Sequence, residues 1–197
     1  MKEILIEMED YAIHHNVPII TKEGIAFIMK YIKNNKVKEV LELGSAIGYS
    51  AILMASAFAD TKVTTIEKNE NRYLECLNNV KKCQLENKIN VVYQDALDLN
   101  LIGVSYDLIF IDAAKADYIS LFEKYKYFLK PGGVIITDNI NFHGYVGNTK
   151  NIQDENLKKI VTKIEEYIEF LKSNKDYETT FYDVGDGLSI TTKKVSS

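Results

Sequence analysis

An α/β fold, with a seven-stranded, mostly parallel sheet and helices on both faces, is what this chain of 197 residues predicts. Three observations carry that expectation. Short apolar runs alternate with segments of helical period from about residue 37 onward. That is the pattern of strand–helix–strand units, whose right-handed crossovers build a parallel sheet covered on both sides. Two of the runs end on acidic residues, Asp112 after Leu108–Ile111 and Asp138-Asn139 after Val134–Ile136, and open parallel sheets bind ligands outside the carboxyl ends of their strands. The chain then closes on two strand-like segments flanking Gly185-Asp186-Gly187, a terminal hairpin that ends the sheet with an antiparallel strand.

The elements follow in order. Residues 1–36 hold two short helices, about Lys2 to His15 and Lys22 to Asn34, interrupted at Val17-Pro18. Residues 37–197 form the remainder of what reads as a single domain. Val37 to Leu43 is strand one, Ile47 to Phe58 a helix leaving a glycine loop, Thr61 to Ile66 strand two, Asn71 to Leu85 a helix and Ile89 to Tyr93 strand three. Asp107 to Ile111 is strand four, and a helix runs over roughly Ala116 to Leu129. Lys130-Pro131-Gly132-Gly133 reads as a strong break before strand five, Val134 to Asp138. Leu157, Ile160, Val161, Ile164, Ile168 and Leu171 then mark one stripe of a long helix. Tyr177 to Val184 and Leu188 to Lys193 form the hairpin, and Val195-Ser196-Ser197 a frayed end.

Composition narrows the class. Hydrophobic residues make up 46% and charged residues 26%, ordinary values for a globular protein with a real core. There is no long apolar span and no signal-peptide pattern, so membrane insertion and export are not indicated and a cytoplasmic location is the expectation. Cys76 and Cys83, the only cysteines, suit packing on one helix face rather than a disulfide framework or a zinc site. A net charge of −4 argues against broad nucleic-acid affinity. The positive charge is nearly all lysine, Arg72 being the single arginine.

Gly44 and Gly48 follow strand one in Glu42-Leu43-Gly44-Ser45-Ala46-Ile47-Gly48. Glycine permits a tight turn and close approach to a ligand. The dinucleotide fingerprint wants G-x-G-x-x-G, and the G-x-x-x-G spacing here weighs against a nicotinamide cofactor. Glu67 lies 23 residues after Gly44, at the end of strand two, where a carboxylate accepts both hydrogen bonds of a ribose diol. Asp95 follows strand three, placed to accept from an adenine amino group. Singly, each reads equally well as a turn glycine or a surface acid. As an ordered set at successive strand ends, they point to a nucleotide-like cofactor.

Asp112, Asp138 and Asn139 offer hard oxygens to a divalent cation such as Mg²⁺, and Lys115 beside them can take a proton. The set suggests metal-assisted transfer to a hydroxyl group. The structural alternatives are helix capping by Asp112, an Asx-turn at Asp138-Asn139 and a solvated lysine at 115. His14, His15 and His143 have no zinc spacing, although His143 can line a substrate mouth. Tyr118, Phe142 and Tyr145 can stack on a flat base or serve packing. Lys22, Lys30, Lys33, Lys36, Lys38, Lys150, Lys158 and Lys159 can meet phosphates or face solvent.

The strand-end set resembles the S-adenosylmethionine site of the Rossmann-like class I methyltransferases. With Asp112, Lys115, Asp138 and Asn139 added, the resemblance narrows to the cation-dependent O-methyltransferases, the family of catechol and caffeoyl-CoA O-methyltransferases and their bacterial relatives. It runs from about Glu9 to Lys194. Within the family, the chain most resembles the bacterial tRNA 5-hydroxyuridine O-methyltransferases, on His15-Asn16-Val17-Pro18-Ile19-Ile20, LELGSAIGYSAI, IEKNENRY, IFIDAAKADY, GVIITDN with Phe142-His143-Gly144, and VGDGLSI. The first and last of these are the branch-specific segments. The resemblance implies S-adenosylmethionine contacts from Glu42, Gly44, Ser45, Gly48, Ser50, Glu67, Asp95, Ala96 and Asp112, with Glu42 at the methionine end and Glu67 at the ribose. It implies that Asp112, Asp138 and Asn139 bind Mg²⁺ or another divalent cation, and that Lys115 is the base. It further implies a homodimer, with residues 1–36 at its interface or at the substrate mouth. The implied acceptor is 5-hydroxyuridine at the wobble position of tRNA, in the anticodon region, giving 5-methoxyuridine. The alternative is a small catechol-like molecule with vicinal oxygens.

Overall fold

A computed structural model describes residues 1–194; Val195-Ser196-Ser197, read above as a frayed end, lie outside the described residues. The elements are α1 (Lys2–His14), α2 (Lys22–Asn35), β1 (Glu39–Leu43), α3 (Tyr49–Ala57), β2 (Lys62–Glu67), α4 (Glu70–Lys82), β3 (Ile89–Tyr93), β4 (Tyr106–Ile111), α5 (Tyr118–Tyr125), β5 (Leu129–Thr137), α6 (Glu155–Ser173), β6 (Tyr177–Tyr182) and β7 (Leu188–Lys193). They form one seven-stranded sheet in the order β3-β2-β1-β4-β5-β7-β6. Strands β1 to β5 pair parallel, and β7 runs antiparallel to both β5 and β6. The hairpin therefore enters the sheet with its second strand inward and leaves β6 on the edge. No helix among the described residues is long and apolar enough to cross a membrane.

Apolar runs become central strands because both of their faces are covered. Alternate residues of β4 divide between two cores, Leu108 and Phe110 on one face and Ile109 and Ile111 on the other. The first face packs against α1 to α4 through Met8, Ile28, Ile32, Ile52 and Cys76. The second packs against α5 and α6 through Tyr118, Phe122, Tyr125, Tyr167 and Leu171. Both N-terminal helices thus belong to the same body as the sheet. In α6 the buried stripe is Val161, Ile164, Tyr167 and Leu171, while Ile160 is 39% exposed. Tyr167 takes the inward position because its hydroxyl finds a partner in Thr137 Oγ1 at 2.8 Å.

Boundaries differ from the sequence expectation most at strand five and at the helix before it, where α5 ends at Tyr125 rather than near Leu129. Lys130-Pro131-Gly132-Gly133 is not a break before strand five but part of β5, which begins at Leu129. The pairing register with β4 shifts between Tyr106 and Leu108. Gly132 adopts φ +77°, and a Cβ on Gly133 would lie 2.9 Å from the Asp107 carbonyl oxygen. The glycines let the strand bulge and continue.

Glu42 is fully buried in β1. It accepts from Ser50 Oγ of α3 and from Thr65 Oγ1 of β2, tying three elements together. Burial pushes its carboxyl up to about 7, with the charges of Asp112 and Glu67 adding to the rise and the two hydroxyls opposing it. The folded chain therefore keeps this proton at pH values where the unfolded chain has released it. Stability is expected to fall by up to about 3 kcal/mol as pH rises from the ordinary carboxylate range to about 7, and to level off above. Glu42→Gln, neutral and of the same shape, is expected to flatten that slope in melting temperatures measured between about pH 5 and pH 8. Equal slopes in the two proteins would remove Glu42 as its source.

Candidate active site

Strand register assembles the site. Leu43 of β1 pairs with Ile111 of β4, and Ile111 with Thr137 of β5. The next residue of each strand is then Gly44, Asp112 and Asp138, side by side on one rim. Backbone bonds extend the alignment past the strands: Asp112 N–H donates to Leu43 O at 3.0 Å, and Asp138 N–H to Ile111 O at 3.2 Å. Gly44 has φ +101°, and a Cβ there would lie 2.2 Å from the Asp112 carbonyl oxygen. Any side chain at 44 would separate β1 from β4 at the point where they must meet.

The glycine loop wraps a second acid. Glu67, at the end of β2 and 7% exposed, accepts from Ala46 N–H at 2.9 Å through one oxygen and from Asn69 N–H at 2.8 Å through the other. Each oxygen keeps a second lone pair. Gly48 packs rather than lines the cavity: φ is +88°, and a Cβ would lie 2.7 Å from Cys76 Sγ. Glu42 likewise is absent from the cavity wall and holds the loop from beneath through Ser50, which is on the wall. The structure thus places Glu42 and Gly48, which the resemblance implied as cofactor contacts, behind the cavity wall. Asp95 is on the wall but is occupied by Leu97 N–H at 2.9 Å and Lys68 Nζ at 3.0 Å. These bonds, the backbone one foremost, hold its carboxyl below the usual range.

Apart from Glu42 and Gly48, these groups border one cavity of about 1190 Å³. Gly44, Ser45, Ser50, Glu67, Asp95 and Ala96 line one end; Asp112, Lys115, Asp138 and Asn139 line the middle. Pro18, Ile19 and Ile20 close it from the N-terminal segment, and Lys158, Lys159 and Lys163 of α6 border it as well. The N-terminal helices are latched to the cofactor loop by Tyr49, whose hydroxyl donates to Glu9 at 2.7 Å; Glu9 also pairs with Lys22 at 2.7 Å.

Lys115 Nζ bridges Asn139 Oδ1 at 2.5 Å and Asp112 Oδ1 at 3.3 Å. Asp138 is 2% exposed, and its Oδ1 has no hydrogen-bond partner among the described residues. Burial, and then the charge of Asp112, push its carboxyl up to about 7. A buried carboxylate oxygen without a donor is costly, and here it faces a second carboxylate. A divalent cation answers both deficits, so the donor set fits a hard ion held by Asp112, Asp138 and Asn139. No trio of His, Cys, Asp or Glu is gathered elsewhere among the described residues; this set has two carboxylates and an amide. The structural alternatives fall away. No side chain caps the turn at Lys115–Asp117 or the start of α5, and Ile140 N–H goes to Gly187 O rather than to an Asx-turn.

Among the side chains that the sequence left between two roles, Tyr118, His14 and His15 take the structural one. Tyr118 is fully buried and donates to Asp138 O at 3.1 Å, so it braces the loop after β5 and is not free to stack on an acceptor. His14 and His15 bond to backbone carbonyls of their own helix. Phe142 and His143 do border the cavity. Asp186 was read only as a hairpin-turn residue, yet it borders the cavity and bonds Asn139. A polar residue between two glycines signals a turn first, and only the folded chain brings this one beside residue 139.

A family model described as O-methyltransferase matches residues 1–194. Caffeoyl-CoA O-methyltransferase from Populus kitakamiensis is 30% identical over 174 residues, covering 83% of this chain and 73% of its own length. Flavonoid 3′,5′-methyltransferase from Vitis vinifera is 27% identical over 199 residues, covering 96% and 83%. A solved Staphylococcus aureus structure, provisionally assigned as a caffeoyl-CoA O-methyltransferase, matches with a TM-score of 0.91 and 36% identity over 96% of this chain and 92% of that one. The O-methyltransferase from Bacillus cereus, solved in complex with SAH, matches with a TM-score of 0.83 and 24% identity over 98% and 91%, a likeness of fold. With the family model spanning every described residue, the chain belongs to the O-methyltransferase family, as an S-adenosylmethionine-dependent enzyme of the caffeoyl-CoA O-methyltransferase type.

Proposed function

We propose that this enzyme methylates a hydroxyl group flanked by a second oxygen, using a divalent cation held by Asp112, Asp138 and Asn139, with Lys115 as base. The observation that carries the reading is the buried, unpartnered Asp138 Oδ1 beside a second carboxylate and a lysine. A cation such as Mg²⁺, when bound, lowers the pKa of the acceptor hydroxyl and fixes its oxygen in line with the methyl group. The chain's own residues supply the rest. Glu67 and the Gly44 loop hold the nucleoside part of S-adenosylmethionine. Lys115 Nζ takes the hydroxyl proton as the oxygen attacks; the new C–O bond forms while the C–S bond of the sulfonium breaks, and the thioether leaves. Much of the acceleration comes from positioning donor and acceptor in one cavity.

For the acceptor, the reading is 5-hydroxyuridine of tRNA, whose 5-hydroxyl and 4-carbonyl supply the adjacent oxygens. Its support is the lysine border of α6 and the placement of residues 18–20 and Asp186, from the two branch-specific segments, at the same mouth. A small catechol-like acceptor is the second reading. It is favoured by the apolar wall of Pro18, Ile19, Ile20 and Phe142 and by relatives named for caffeoyl-CoA and flavonoid methylation.

Labelled S-adenosylmethionine with Mg²⁺ and either tRNA carrying 5-hydroxyuridine or a simple catechol separates the two. Label in tRNA that is lost on chelation is the expected result; label only in the catechol selects the second reading. Asp138→Ala is expected to reduce metal-dependent turnover by roughly 100-fold or more, given that even outer partners of metal ligands are worth about 10–100-fold, while leaving S-adenosylmethionine affinity nearly unchanged. Full activity in that variant would sink the metal assignment. Glu67→Ala is expected to weaken S-adenosylmethionine binding about tenfold or more, since hydrogen bonds to a charged acceptor are lost. An unchanged dissociation constant by calorimetry would assign the ribose to another residue.

A further inference from the structure

Asn139 reaches the candidate metal centre on a loop whose backbone is held in an uncommon conformation. Asn139, Phe142 and His143 all have positive φ, at 59°, 43° and 56°, and non-glycine residues hold such angles only where their surroundings impose them. The imposing element is the β6–β7 turn. Gly187 O accepts from Ile140 N–H at 3.0 Å, and Asp186 O accepts from Asn141 N–H at 2.8 Å and Phe142 N–H at 3.2 Å. The Asp186 carboxylate adds His143 N–H at 3.3 Å, and its Oδ1 lies 2.9 Å from His143 Nδ1. Its Oδ2 accepts from Asn139 Nδ2 at 3.3 Å. The turn is itself wedged in place: a Cβ on Gly187 would lie 2.6 Å from Asn141 N, and one on Gly185 2.1 Å from Thr21 Oγ1.

The bond to Asn139 has a chemical consequence. An amide has one oxygen and one nitrogen of nearly equal shape, and its partners decide which way it faces. An ionised carboxylate accepts and cannot donate, so only the nitrogen of Asn139 can face Asp186. The oxygen is thereby turned toward Lys115 and the two aspartates. We propose that Asp186 is a positioning residue for the metal centre, orienting the Asn139 amide so that its oxygen is presented to the cation. The proposal rests on the reading that Asp112, Asp138 and Asn139 hold a divalent cation. Residues that orient metal ligands in this way are worth about 10–100-fold in metal affinity.

The test is titration of the full-length protein with Mn²⁺ by calorimetry in the presence of S-adenosylhomocysteine, with melting temperature and S-adenosylhomocysteine affinity recorded for each variant. Asp186→Asn is expected to bind Mn²⁺ about tenfold more weakly, with S-adenosylhomocysteine affinity retained. Asn139→Asp is expected to place two carboxylates face to face. Combining it with Asp186→Asn restores one donor and one acceptor with their order reversed, and is expected to regain at least about tenfold in Mn²⁺ affinity over Asn139→Asp alone. Mn²⁺ affinity in Asp186→Asn equal to that of the unaltered protein overturns the proposal, as does a swap that regains nothing. If Asp186→Asn does not fold, the comparison of the swap with Asn139→Asp decides it alone. Absence of Mn²⁺ binding by the unaltered protein overturns the metal reading instead, a distinguishable result.

Discussion

The register of β1, β4 and β5 is the constraint on which the rest of the structure depends. Because Leu43, Ile111 and Thr137 lie level across three strands, the residues that follow them emerge as neighbours on one rim. A slip of one residue in any pair would turn a site residue toward the opposite face. Close approach at the rim demands a residue without a side chain at 44, where a Cβ would lie 2.2 Å from the Asp112 carbonyl oxygen. Glycine at that position thus serves strand packing as much as cofactor approach. Two functions, backing the cofactor loop and bringing Asp112 beside it, share one geometric cause.

The acids around this rim fall into two groups by how their charge is answered. Glu42 is satisfied by two hydroxyls, Glu67 by two backbone amides, and Asp95 by a backbone amide and Lys68. Those bonds position the glycine loop and the strand ends around it. Asp138 is different, buried with an oxygen that nothing among the described residues answers. Folding tolerates such a group because the surrounding packing is extensive: Ile111, Tyr118, Ile135 and Ile136 are all fully buried. The stability supplied by two cores therefore supports a local arrangement that is unfavourable by itself, a common relation between scaffold and site.

Much of this was legible in the residues. Short apolar runs, separated by segments of helical period, mark every strand but β5 within a residue or two and the helices more loosely at their C-terminal ends, and β3 and β7 coincide with their expected bounds. The placement of Asp112, Asp138 and Asn139 followed from the rule that parallel strands present ligands at their carboxyl ends. Other features were not legible. Lys130-Pro131-Gly132-Gly133 has the composition of a break, but β4 beside it supplies pairing that carries the strand through a bulge. Glu42 looks like a site residue from its place before the glycine loop, yet alternation along β1 turns it inward toward Ser50 and Thr65. Tyr118 was open to stacking or packing, and burial commits it to packing with a bond to Asp138 O.

The sequence by itself determined which residues end strands, which stripes are apolar and which chemical groups stand at each strand end, because these depend on local periodicity and on neighbours in the chain. Tertiary structure alone decided how those groups face one another. Asp186 is 47 residues from Asn139 along the chain, Glu9 is 40 from Tyr49, and Thr21, far from Gly185 in sequence, packs against it. Such contacts arise from sheet order and helix packing. They carry no local periodic signal, so the bond that turns an amide, and the buried oxygen left without one, become visible only when the distant segments are brought together.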